Sequence, residues 1–78
     1  MAVAMREETL HYSMVIQWSD EDQRYVVSFP EWGDYAHTHG ASYEEAVHNG
    51  QQVLTDLVEL WRNQGRSLPH PAPFATSA

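Results

Sequence analysis

From Leu10 the chain alternates. Tyr12, Met14, Ile16 and Trp18 take every second place, with His11, Ser13, Val15 and Gln17 between them. A period of two over eight residues, rich in aromatic and branched side chains, predicts a β-strand. Ser19-Asp-Glu-Asp-Gln23 has the polarity and length of a hairpin connection. Arg24 to Phe29 predicts a second strand, with Tyr25, Val27 and Phe29 on one face and Val26 and Ser28 on the other. Pro30 cannot donate to a ladder and ends it. Glu31-Trp-Gly-Asp34 predicts a turn in which Gly33 takes a positive φ. Tyr35 to His39 predicts a short third strand that Gly40 breaks.

The period then changes. Tyr43, Ala46, Val47, Gly50, Val53, Leu54, Leu57, Val58 and Trp61 form one stripe at ~100° per residue. Glu45, His48, Gln52, Thr55, Asp56, Glu59 and Asn63 form the other side. Ser42 with Glu45 reads as a capping box, and Glu44 adds negative charge at the positive helix end. Gly65 is placed just past the last turn, between Arg62 and Arg66. A helix over Tyr43 to Asn63 would be roughly 32 Å long, and the first strand about 27 Å. One such helix covers the diagonal of a three-stranded sheet. Gly50 in mid-stripe implies close approach of the helix backbone to a bulky strand residue, because mid-helix Gly otherwise costs about 1 kcal/mol.

These elements predict an α+β fold: a three-stranded antiparallel sheet with one long helix on one face, βββα in order. Residues 67–73, extended by their prolines, supply either a short fourth edge strand or a tail. The expected organisation is a loose extension at 1–9, one domain at 10–73 and a free end at 74–78. Phe29, Ala46, Val47, Gly50 and Leu54 are the expected core.

Composition narrows the chemistry. Seventy-eight residues allow one small domain. With no Cys there are no disulfides, thiolate nucleophiles or Cys-ligated metals, and with no Lys there is no P-loop or Schiff-base lysine. Four Arg against eleven carboxylates, a net charge of −7, make a poor phosphate-binding surface and favour a basic partner. No apolar run approaches the ~20 residues of a membrane span, so a soluble cytoplasmic protein is expected.

Little points to catalysis. His37 and His39 share a strand face and could pair on a metal, but His48 falls on the polar helix side and no carboxylate completes a shell. The three expected strands contain no Asp or Glu, whereas two-metal chemistry needs acids on rigid strands. No Gly-x-Ser-x-Gly is present. The expectation is a protein that is not an enzyme, with no catalytic residue, metal or cofactor. Aromatics are more telling. Trp18, Tyr25, Trp32, Tyr35, Tyr43 and Trp61 are many for one helix over three strands, and a sheet face left uncovered implies a protein contact.

A family resemblance follows from Arg24-Tyr-Val-Val-Ser-Phe-Pro30-Glu31, the Gly turn, Thr38-His-Gly40-Ala-Ser-Tyr-Glu-Glu45-Ala46 and the Gly65-x-x-x-Pro69-x-Pro71 tail. Over about Leu10 to Pro73 the chain resembles the HicB-type antitoxins of toxin–antitoxin pairs. The resemblance implies a partial, degenerate ribonuclease H-like domain without catalytic acids. Its implied partner is a small basic HicA-type toxin that cleaves messenger RNA. Full-length members often carry a C-terminal DNA-binding module; this chain shows none, so direct DNA binding is not expected. The expected toxin contacts are Asp20, Asp22, Glu31, Trp32 and Tyr35. A homodimer or higher homo-oligomer is expected through the uncovered sheet face, with Val15, Trp18, Tyr25 and Tyr35 at the contact. The alternative is an orphan non-catalytic binding or scaffold domain with no toxin.

Overall fold

The structure, a computed structural model, describes residues 11–72 apart from the Tyr35 side chain. The expected extensions at 1–9 and 74–78 lie outside the described residues. The elements are β1 (Val15–Ser19), β2 (Arg24–Phe29), a 3₁₀ turn (Pro30–Trp32), β3 (Gly33–Gly40) and α1 (Tyr43–Asn63). The strands form one antiparallel sheet in the order β1-β2-β3. This is the βββα layout that the periodicities predict, and α1 has the predicted bounds.

Two strand bounds are corrected. The first strand is shorter than the alternation from Leu10 implies, because the Ser13 N–H donates to the Glu31 carboxylate instead of a neighbouring strand. The third strand is longer. It begins at Gly33, whose φ is 62°, and pairs with Phe29 across a register irregularity after Ser28. It therefore contains Asp34, exposed, so β3 is not free of acids. No fourth strand forms among the described residues. Pro69 and Pro71 lack the N–H that a ladder needs. The strap 66–72 is instead held by side chains: Tyr12 donates its hydroxyl to the Pro69 carbonyl at 2.7 Å, and Ala72 donates its N–H to Glu31 at 2.8 Å.

Partners across an antiparallel ladder share a face. The rows Ile16–Val27–Thr38 and Trp18–Tyr25–Gly40 lie on the helix-bearing face. Val15–Ser28–His37 and Gln17–Val26–His39 lie on the open face. The core is Val27 and Phe29 of β2 against Ala46, Leu54, Leu57 and Val58 of α1, closed at one end by Tyr12 and Trp32. Val47, expected in the core, is only half-buried. It sits on the shoulder of α1, where Tyr43, Glu44, Val47, His48 and Gln51 line a shallow depression.

Both ends of α1 are sealed by local bonds. Ser42 Oγ accepts from the Glu45 N–H at 3.1 Å. The Glu45 carboxylate reaches one residue further back than in a capping box and accepts from the Ala41 N–H. At the other end Gly65 N–H donates to the Arg62 carbonyl and Arg66 N–H to that of Trp61, the pairing of a Schellman motif.

Close approach of the helix to the sheet depends on two glycines. A Cβ on Gly50 would fall on Met14 Sδ and lie 3.3 Å from Val27 Cγ1. One on Gly40 would fall on the backbone of Ala46, with its Cα at 2.6 Å. The two obstacles differ. Met14 is a flexible side chain that can swing away, whereas the Ala46 backbone is the first turn of α1. Gly40→Ala is therefore expected to destabilise by about 3 kcal/mol, the upper range of overpacking. Gly50→Ala is expected to cost much less, because about 1 kcal/mol of helix propensity offsets the displacement of Met14. Urea midpoints of the two variants check this order.

Candidate functional site

Aromatic side chains gather at both ends of α1, and the two groups meet different fates. At the C-terminal end, Trp32 lies between Tyr12 (centroids 5.2 Å apart) and Trp61 (4.8 Å, edge to face). Leu68 of the strap packs against the core, and the Arg66 guanidinium carbon lies 3.8 Å from the Trp61 ring centroid. Trp32 is 6% exposed. Its Nε1 has no hydrogen-bond partner among the described residues. Such a group costs about 1–3 kcal/mol, which the buried aromatic area outweighs.

Glu31 ties this end together. Its carboxylate accepts from the Ser13 N–H (3.0 and 3.2 Å), the Ser13 hydroxyl (2.8 Å) and the Ala72 N–H (2.8 Å). One side chain thus joins the segment before β1, the 3₁₀ turn and the strap. Burial pushes the Glu31 carboxyl up. The bonds from Ala72, the Ser13 hydroxyl and backbone, and its own backbone N–H outweigh that and hold it below the ordinary carboxylate value.

At the N-terminal end the group is open. Trp18 and Tyr25 meet edge to face with centroids 5.1 Å apart, and Tyr25 stacks on Tyr43 at 4.7 Å and 25°. Trp18 is 50% exposed and Tyr43 61%. This ladder lies at the first turn of α1: the Ala46 backbone covers the Gly40 end of the Trp18–Tyr25–Gly40 row, and Tyr43 stacks over Tyr25. One carboxylate touches the ladder and three more adjoin it in sequence. Asp20, Glu21 and Asp22 form the exposed β1–β2 loop, and Glu44 follows Tyr43 on the first helical turn. Trp18 donates its indole N–H toward Asp20 Oδ1 at 3.4 Å, and Gln23 holds the loop through the Asp20 carbonyl at 2.7 Å.

The structure separates the residues that sequence reasoning grouped. Asp20 and Asp22 are exposed beside the ladder, as a contact surface requires. Trp32 is a core residue and Glu31 is engaged internally, so neither is an exposed anchor. Trp18 and Tyr25 lie on the helix-bearing face, so they do not belong to the open sheet face expected to meet a second copy. Val15, 39% exposed, does lie there. Tyr35 is in β3, and its side chain lies outside the description. Tyr43 was not singled out as a contact. Its signal was position: it is the first helical residue, ahead of Ala46, where the apolar stripe outruns the sheet. His37 and His39 are exposed on the open face and His48 is exposed on α1. Among the described residues no three His, Asp or Glu side chains gather as a metal site, and no helix is long and apolar enough to cross a membrane.

Comparison with family models, with curated proteins and with solved structures finds no match for this chain. Its function is therefore read from the chemistry of these surfaces.

The Glu31 junction makes a pH prediction. A depressed folded-state pKa gives stability that is full above the unfolded value of about 4.3 and is lost as pH falls through the folded value. Amide exchange at Ser13 and Ala72 is expected to lose protection over that acid range, ahead of the Val27 amide in the core. In Glu31→Ala the same two amides are expected to be unprotected already at neutral pH, which hydrogen-exchange NMR reads directly.

Proposed function

We propose that this chain is a HicB-like masking domain, acting in the cytoplasm, that binds and neutralises a small basic HicA-type mRNA-cleaving toxin and has no catalytic step of its own. The observation that carries the reading is the open Trp18–Tyr25–Tyr43 ladder with Asp20 at the Trp18 edge, exposed Glu21 and Asp22 in the same loop and exposed Glu44 next to Tyr43 in sequence. A ribonuclease that grips a phosphate backbone presents cations. An acidic surface competes for those cations and steers association, while exposed aromatic rings supply anchors of the kind that dominate interfaces. The net charge of −7 gives the whole chain the matching sign. In this reading Asp20 and Asp22 are contacts, and Trp18 and Tyr43 take the anchoring role first expected of Trp32.

Co-expression with a neighbouring basic reading frame of one small domain tests the proposal. The expected result is rescue of growth and co-purification. A Trp18→Ala/Tyr43→Ala double variant is expected to fold normally by circular dichroism and to bind about tenfold or more weaker, the loss typical of an interface anchor pair. A neighbour that is harmless, or that is neither neutralised nor bound, removes the antitoxin reading and leaves the scaffold alternative.

The proposal includes a C2 homodimer across the open sheet face, where Val15 and Val26 lie among Gln17, His37 and His39. Closed dimers are the commonest assembly, and a core this small gains from one. Light scattering at micromolar concentration is expected to give twice the 8.9 kDa chain mass. Val26→Arg is expected to return the monomer. A wild-type monomer rules out the dimer and leaves the masking role intact.

A further inference from the structure

We infer that the open aromatic ladder is an arginine-binding surface, taking guanidinium groups of a basic partner against Trp18 and Tyr43 with the flanking carboxylates as their counter-charges. This rests on the masking proposal above and names the chemistry the site selects. The first support is the molecule's own use of the same arrangement. The aromatic group at the far end of α1 is sealed by the strap, and there the Arg66 guanidinium carbon lies 3.8 Å from the Trp61 centroid. The group at the near end has similar ring spacings, 5.1 and 4.7 Å, and among the described residues no such cover over Trp18 and Tyr43.

Charge placement is the second support. Trp18 points its indole N–H toward Asp20 Oδ1 at 3.4 Å, which places a carboxylate at the ring edge and leaves the ring face to a cation. Asp22 lies in the same loop, and Glu44 adjoins Tyr43. The nearest cation in sequence, Arg24, pairs with Ser19 and so projects from the opposite sheet face. Arginine suits this setting better than lysine. A planar guanidinium stacks on a ring while its fork donates to a carboxylate, and it loses less hydration than an ammonium in doing so.

The test titrates the ¹⁵N-labelled full-length protein with octa-arginine and with octa-lysine at physiological salt. Octa-arginine is expected to bind about fivefold or more tighter than octa-lysine and to shift the Trp18 indole N–H while leaving that of Trp32 in place. Trp18→Leu/Tyr43→Leu keeps apolar bulk and removes the ring faces; it is expected to abolish the preference for arginine while retaining the native fold by circular dichroism. Equal affinity for the two peptides, no binding, or an arginine preference that survives the double Leu variant overturns the inference. Failure of toxin co-expression with octa-arginine binding intact removes the toxin and keeps the arginine site. Toxin neutralisation without an arginine preference keeps the masking role and removes this site chemistry.

Discussion

One helix must cover one face of a three-stranded sheet, and the rest of the structure follows from how closely it does so. The contact is built on absent side chains. Gly40 lets the first turn of α1 lie on the end of β3, and Gly50 lets its middle lie on Met14, Val27 and Phe29. That approach leaves Val27, Phe29, Ala46 and Val58 fully buried. In a domain this small, few other residues can supply a core, so the interior is concentrated on β2 and the centre of α1. Among the described residues the opposite sheet face presents Val15 and Val26 beside polar neighbours.

Because the helix crosses from the hairpin end of the sheet to the turn end, its apolar stripe overruns the core in both directions. The consequences differ because chain continues past one end only to return over it. After Gly65 the strap folds back: Leu68 packs against the core, Pro69 accepts from Tyr12, and Ala72 donates to Glu31. A carboxylate is the natural fastener there. Pro69 and Pro71 deprive the strap of two backbone donors, and the Ala72 N–H converges on Glu31 with the Ser13 N–H from the segment before β1. Several short charge-assisted bonds outweigh the desolvation of that one partly buried acid. At the other end Tyr43 stacks on Tyr25 and itself stays exposed, as does Trp18.

The functional proposal is therefore about an edge of the packing rather than a cavity or a catalytic cluster. The surface that stands open is aromatic with a carboxylate at its edge, and its counterpart at the other helix end shows an arginine on an indole. Chemistry of this kind selects partners by charge sign and by guanidinium geometry.

Much of the fold was legible beforehand because it is written in local periodicity. The change from period two at Tyr12–Trp18 to period 3.6 at Tyr43–Trp61 separates sheet from helix. Ser42, Glu45 and Gly65 mark the helix ends by backbone bonding that spans only a few residues. Even the close approach at Gly50 could be expected, since an uncompensated glycine in mid-helix is costly. The site was less legible. Glu31 and Trp32 look in sequence like an exposed turn beside Phe29-Pro30, and only the return of a strap some forty residues later makes one a fastener and the other a core residue. Likewise alternation divides β1 and β2 into two faces but does not say which face α1 will cover. That choice put Trp18 and Tyr25 beside Tyr43 rather than on the open face. Local bonding determines where elements start and stop; which surfaces remain exposed is a long-range result of packing, and the candidate site is one of those surfaces.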